Sequence, residues 1–271
     1  MMKRRWKEMF DGFLLALQFY TTVPVKKQIA VDARRLKFAF YTLPFIGIGI
    51  GLVNASIITV SETCVQLPAA ILALLVLNVP ILITGGLHLD GWMDMSDALF
   101  SYRDKQKRLE IMSDPRTGSF AVLSVILLLA WRYVFIFETL QSSAMTTFLL
   151  IVSIYFFARI SMGYVFIQGK LAKQEGLAAF FKQGISRSDF KFFLFISFVF
   201  ILVISCIDRI SAIYAVFIFI FSLIVAMLFL RMLNKQFGGV TGDTLGAVLE
   251  GSETGLWLIV WLLHSFATEL L

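Results

Sequence analysis

Residues 85–116 read GGLHLDGWMDMSDALFSYRDKQKRLEIMSDPR, a polar interval set between two long apolar runs. Its acids are Asp90, Asp94, Asp97, Asp104, Glu110 and Asp114. At about 3.6 residues per turn the first three fall within about 40° of one line along a helix. Carboxylates crowded on one face repel each other and resist ionisation, so such a stripe at a membrane border needs compensating cations, most simply a divalent metal.

Outward from this interval the chain is apolar. Of its 271 residues 59% are hydrophobic and 15% charged, with a mean hydropathy of +0.84, whereas a soluble domain is about one quarter charged. This is the composition of an integral membrane protein, expected as one domain over 1–271 without a separate soluble module. Runs long enough to cross a bilayer, about 20 residues each, lie near 38–60, 67–87, 118–137, 145–167, 190–207, 210–230 and 254–271. The expected fold is therefore all-α, a polytopic bundle of about seven transmembrane helices. Before them, Lys3, Arg4, Arg5 and Lys7 precede an apolar run from Phe13 to Val25 that superficially resembles a secretory signal. No small-x-small cleavage site follows, and Lys26 and Lys27 come next, so the segment reads as a short interfacial or re-entrant helix.

The formal net charge is +6, but the basic residues are spread over several loops and no nucleic-acid fold signature accompanies them, so no nucleic-acid partner is expected. Topology explains the excess better. With seven spans, the N-terminal segment shares one side with Arg103, Lys105, Lys107, Arg108 and Arg116, with Lys170, Lys173, Lys182, Arg187 and Lys191, and with Arg231 and Lys235. The other side keeps only Arg209. That asymmetry predicts a cytoplasmic N-terminus and an active face turned to the cytoplasm, in the inner membrane of a prokaryote, with the C-terminus outside. Cys64 and Cys206 are too few for a metal cluster; both lie near expected outer ends, which leaves a disulfide open. A homo-oligomer is left open as well.

Three further stretches carry information. Gly47, Gly49 and Gly51 in the first span allow close helix approach, and Gly85 with Gly86 predicts a break or close contact just before the acidic stripe. The basic, glycine-punctuated loop at 168–189 suits an anionic substrate, though a solvated positive-inside loop explains it equally well. The segment FGGVTGDTLGAVLEGSE, 237–253, reads as the last cytoplasmic stretch; Asp243 and Glu250 share a helix face, and the glycines around Asp243 permit close approach by backbone and metal-bound phosphate.

Two groups of carboxylates on one membrane face, with Arg and Lys nearby, suit phosphoryl or phosphodiester transfer. Oxygen ligands select a hard ion such as Mg2+, which takes a few carboxylates and leaves positions for water and substrate phosphate. Ser-His or Cys-His nucleophilic catalysis finds little support, because the histidines are His88 and His264, and His264 lies in the last span. His88 could serve as a base or simply as a structural hydrogen-bonding group. A transporter is the rival reading, favoured by intramembrane Arg132 and Arg159 and disfavoured by the absence of an internal repeat.

The stretches GGLHLDGWMDMSDALFS, RLEIMSDPRTG, KQEGLAAFF (173–181), GGVTGDTLGAVLEGSE (238–253), LQFYTTVPV near the N-terminus and LPFIGIGIG in the first span closely resemble the cobalamin synthase family. The resemblance runs in order through most of the chain. It implies a Mg2+-dependent inner-membrane enzyme of late cobalamin synthesis, joining adenosylcobinamide-GDP to α-ribazole or its 5′-phosphate with release of GMP. It places the family's acidic motif on Asp90, Gly91, Asp94 and Asp97, an Asp-x-Arg element on Asp114 and Arg116, and a glycine-rich motif on Gly239, Thr241, Gly242, Asp243 and Gly246. The acidic motif is similar also to that of the CDP-alcohol phosphotransferases, whose full Gly and Asp spacing is absent here. Reading and resemblance together predict Asp90, Asp94, Asp97 and Asp243, with Glu250, as Mg2+ ligands. Arg116 and a loop lysine would steady the phosphate oxygens, Gly85 and Gly86 would line the site, and His88 or an aspartate would be the base.

Overall fold

The computed structural model of the chain describes residues 2–141 and 146–269. Among them there is no β-strand, only an isolated parallel bridge between Leu171 and Val240. The helices are α1 (Met2–Tyr20), α2 (Ala33–Val60), α3 (Ala69–Thr84), α4 (Leu87–Phe100), α5 (Lys105–Ile111), α6 (Ser119–Gln141), α7 (Thr146–Gln168), α8 (Leu177–Lys182), α9 (Phe190–Ile207), α10 (Arg209–Gln236) and α11 (Gly242–Glu269). Six among the described residues are long and apolar enough to cross a membrane, and the bent pair α3 and α4 brings the number to seven if the pair is counted as one span. The expected start at 145 and end at 271 of two spans lie outside the described residues.

Helix α7 is the centre, buried along nearly its whole length, and α2, α10 and α11 pack around it. The α2–α7 contact is close because residue 47 has no side chain: a Cβ there would lie 2.5 Å from the Tyr155 carbonyl oxygen. Gly51 meets Val152 in the same way, whereas Gly49, expected to share this role, faces open space. Aromatic rings fill the seams, with Phe40 edge-on to Phe166 and Phe156 stacked on Phe200 at 4.1 Å. The outer faces of α6, α9 and α10 carry exposed Leu, Ile, Val and Phe, as lipid contact requires.

Helix α1 is not among the spanning candidates. It exposes Trp6, Met9, Phe10 and Phe13 and buries Asp11, which accepts hydrogen bonds from Lys27 (2.8 Å) and Arg35 (3.1 Å) and so pins α1 to α2. An apolar outer face and a tethered polar inner one suit a helix lying in the membrane interface, as expected from sequence.

Two boundaries differ from the sequence reading. The second span ends at Thr84, where Gly85 (φ +63°) and Gly86 (φ +75°) adopt the left-handed conformation in succession and the chain turns through 92° into α4. Such a pair of positive φ angles is tolerated because neither residue has a Cβ. The second difference lies at the end of the chain. Residues 242–253 are not a cytoplasmic segment preceding a span at 254 but the first three turns of one continuous helix, α11. Hydropathy hid those turns because it counts Glu250 and Glu253 as charges and cannot see the arginines that neutralise them from other helices. Cys64 and Cys206 are both free and exposed, so the disulfide left open from sequence is not formed.

Candidate active site

Helix α4 packs against the start of α11, and glycine makes the crossing tight: a Cβ on residue 91 would sit 2.5 Å from the Asp243 carbonyl oxygen. Gly246, one turn on, faces the His88 backbone, where a Cβ would come 3.0 Å from the carbonyl oxygen. This contact brings two acidic groups, distant in sequence, into one field. Asp94 feels the charges of Asp90, Asp243 and Asp97, and Asp243 feels those of Asp90 and of Lys173.

The placement of Lys173 follows from backbone pairing. Val240 donates to the Lys170 carbonyl (2.7 Å) and Ala172 donates to the Val240 carbonyl (3.0 Å), which ties the loop after α7 to the residues before α11. Gly239 runs against the Lys170 carbonyl at this bridge, and no side chain would fit there. Lys173 then donates to the Leu109 carbonyl (2.9 Å) and to Ser113. The loop at 168–189 thus contributes one ammonium to the acidic field. Another, Lys182, donates to the carbonyls of Phe166, Ile167 and Gly169, closing the C-terminus of α7, and burial with the Arg187 charge pushes it down to about 8.

The predicted site residues separate by what they touch. Asp90, Asp94 and Asp243 accept no hydrogen bond and form no ion pair within 4 Å among the described residues. Asp97 shares their field, but both its oxygens are engaged by the N-terminus of α6, from Gly118 N–H and from Ala121 N–H at 2.9 Å. That is a helix cap supplied from another helix. Thr241 caps α11 itself: its hydroxyl accepts from Thr244 N–H (3.2 Å) while the Thr244 hydroxyl accepts from Thr241 N–H (2.8 Å). Gly242 begins that helix with open space in front of it.

Glu250 and Arg116 lie outside this group. Glu250 is buried within the bundle, two turns along α11, where Arg132 donates to its carboxylate at 2.7 Å. Arg132 also reaches Thr254 (2.9 Å) and Glu253 (3.4 Å), and Arg159 donates to Glu253. Two arginines and two glutamates therefore balance, and the arginines that favoured a transporter are used in joining α6 and α7 to α11. Arg116 points to solvent, 87% exposed, and grips its neighbour Asp114 through Nε (2.9 Å) and Nη2 (2.6 Å). The guanidinium holds the Asp114 carboxyl down at about 2.

A cavity of about 290 Å³, which sequence reading did not anticipate, opens beside Asp90 and Asp243. Its lining comes from α1, α2, α4, α7, α8 and α11, so LQFYTTVPV, KQEGLAAFF and both acidic motifs meet in one place. The signal available in sequence was the motif set itself; which of its residues face inward needed the fold. His88 is one of them, 6% exposed and stacked on Tyr20 with ring centroids 6.3 Å apart.

No group of three His, Cys, Asp or Glu side chains among the described residues stands close enough to share one ion. The acidic field therefore offers an ion individual carboxylates rather than a complete protein cage. That donor set fits Mg2+, which is usually bound through one or two carboxylates plus water and substrate phosphate.

The profile of the family described as cobalamin-5-phosphate synthase matches residues 12–261. An adenosylcobinamide-GDP ribazoletransferase from Geobacillus sp. (strain WCH70) is 42% identical over 271 residues, covering 98% of this chain and 99% of the relative. A protein of the same name from Geobacillus kaustophilus is 39% identical, with 96% and 98% covered, and one from Clostridium tetani is 35% identical, with 87% and 90% covered. No solved structure matches.

Proposed function

The chain belongs to the cobalamin-5-phosphate synthase family, and from that premise we propose that it joins adenosylcobinamide-GDP to α-ribazole or its 5′-phosphate and releases GMP. The observation that carries this reading is the group of Asp90, Asp94 and Asp243: three carboxylates brought together without a protein partner, beside one lysine and a cavity. A protein does not leave such a field uncompensated unless a cationic or cation-bearing ligand completes it. Phosphoryl transfer from a nucleoside diphosphate ester supplies that ligand.

Asp90, Asp94 and Asp243 would offer Mg2+ one or two carboxylates at a time rather than a cage of three, and the ion would neutralise diphosphate charge as the leaving group departs. The remaining work belongs to the chain's own groups. Lys173 meets phosphate oxygens from the loop above Asp243, and the open space at Gly242 lets an anion approach the start of α11 beside the Thr241 cap. A ribose hydroxyl of the acceptor attacks the phosphorus that bears cobinamide. The new P–O bond forms as the bond to the GMP phosphate breaks, and the hydroxyl proton passes to His88 or to an aspartate of the field.

We place the acidic field on the cytoplasmic side of a bacterial inner membrane. The end that carries Asp243 also carries Lys105, Arg108, Lys173 and Lys182, which contact one another's loops, and this is the side that positive charge retains in the cytoplasm. The test uses purified full-length chain in detergent with adenosylcobinamide-GDP and α-ribazole, with and without Mg2+. GMP should appear only with both substrates and the metal. GMP release that continues in excess chelator would remove the metal from this account, and a chain that releases none under any condition would remove the reaction.

A further inference from the structure

Resting on that reaction, we propose that the cavity beside Asp90 and Asp243 is the subsite for the acceptor's base. It takes the flat, largely apolar N-heterocycle of the ribose nucleoside, with the ribose turned toward the two aspartates.

The cavity's composition selects among the ring systems that the reaction brings together. Its volume is about 290 Å³, and Phe19, Tyr20, Phe40, Phe166 and Phe181 put five aromatic rings in its lining. Five polar side chains line it, Gln18, Tyr20, His88, Asp90 and Asp243. The Gln18 amide already donates to the carbonyls of Val25 (2.9 Å) and Lys27 (3.0 Å). The aspartates sit at one end and belong to the acidic field. Within the aromatic part, His88 and the hydroxyl of Tyr20 stacked on it are the polar groups that remain, and neither makes a side-chain hydrogen bond among the described residues.

A corrin is a macrocycle fringed with amides, too broad and too polar for this space. Guanine fits by size but presents several donors and acceptors along one edge, and burying them against phenylalanine would leave most unpaired at a cost. The benzimidazole-type base of a ribazole is mostly π-face and methyl, with one unsubstituted ring nitrogen. Aromatic walls suit its faces, and one imidazole N–H suits its nitrogen. Seated so, its ribose falls beside Asp90 and Asp243, where the attacking hydroxyl is needed.

The short helix α8 closes the outer wall through Leu177, Ala178 and Phe181. Lys182 holds that helix to the end of α7, so the wall is fixed in place. Ala178 is buried and Leu177, 54% exposed, stands at the mouth. These two positions allow the subsite to be narrowed without touching the acidic field.

The experiment pairs binding with turnover on full-length protein in detergent. Calorimetric titration with α-ribazole, which needs no reaction, should show saturable binding to wild type, weakened at least about tenfold in Ala178→Leu, since a single methylene can be worth that much in an apolar pocket. GDP binding should not move. In the GMP assay the KM for α-ribazole should rise while that for adenosylcobinamide-GDP stays, and the nucleoside of unsubstituted benzimidazole, two methyl groups smaller, should be penalised less. Leu177→Trp, on the exposed rim, is the second variant, used if Ala178→Leu does not fold. A rise in the KM of the donor or the Kd of GDP instead would assign the cavity to guanine and overturn the proposal. Binding of α-ribazole that neither variant affects would overturn it too. If wild type releases no GMP, the reaction fails, and the titration alone still decides the cavity.

Discussion

Helix α11 carries acids in two regimes only two turns apart. At its start, Asp243 faces Asp90 and Asp94, all three without hydrogen-bond partners among the described residues, with Lys173 nearby. Deeper along the same helix, Glu250 and Glu253 are buried and each meets an arginine, Arg132 or Arg159. Both groups are carboxylates, and Asp243 and Glu250 share a helix face; the difference is charge balance. The balanced group is complete without a ligand and joins three helices, whereas the unbalanced group is complete only when something positive arrives.

This contrast breaks most visibly if one member of the balanced group is removed. Glu253→Gln should leave Arg159 as a buried charge without its carboxylate and cost about 3–5 kcal/mol, read as a large fall in the thermal midpoint in detergent. An unchanged midpoint would mean that the buried network does not hold the bundle. The unbalanced group should behave the opposite way. Asp243→Asn relieves repulsion with Asp90, so the midpoint should stay or rise, while GMP release falls about a hundredfold or more, as for other lost transition-state charge contacts. Combining it with Asp90→Asn should cost far less than the product of the two single losses if both grip one diphosphate. Full multiplication would separate the two acids into independent sites.

The bundle was legible because lipid imposes its signature on sequence: long apolar runs, basic loops on one side, glycines where helices cross. The turn at Gly85–Gly86 and the α2–α7 contact at Gly47 follow from what glycine permits. The acidic motifs were legible as chemistry-bearing residues but not as two separate groups. Asp243 and Glu250 do share a helix face; what divides them is the partner each meets on α4 or α6, and no spacing within one helix encodes that. Asp97 belongs visibly to the stripe, yet its role as a cap depends on where α6 begins in space. The cavity was illegible for the same reason, being assembled from six helices whose inward faces only packing defines.

Asp97 tests the boundary between the two regimes, since it lies in the acidic field but has both oxygens engaged. Asp97→Asn keeps one acceptor for the start of α6 and loses the charge that favours a helix N-terminus, so it should cost about 1 kcal/mol in stability. Its loss of turnover should be smaller than that of Asp243→Asn. A loss equal to that of Asp243→Asn, with the thermal midpoint intact, would return Asp97 to the group that holds the substrate.

The smallest effect is expected at Arg116, where a third arrangement occurs: a charge pair in solvent, complete between neighbours. Sequence suggested that Arg116 steadies phosphate, but its side chain is exposed and engaged with Asp114. Arg116→Ala should therefore leave the thermal midpoint at neutral pH nearly where it was, because water and salt screen such a pair. Its pH dependence has a definite sign. Asp114 is held at about 2 in the folded chain and returns toward about 4 when unfolded. Whatever the pair contributes is then fully present above pH 4 and vanishes as pH falls toward 2, so any difference between wild type and variant should shrink over that interval alone. GMP release at neutral pH should drop less than for any acid of the unbalanced group. Should it drop as far as in Asp243→Asn while the midpoint holds, Arg116 must leave Asp114 to grip the substrate, and charge completeness in the free protein would no longer separate structural from reactive groups.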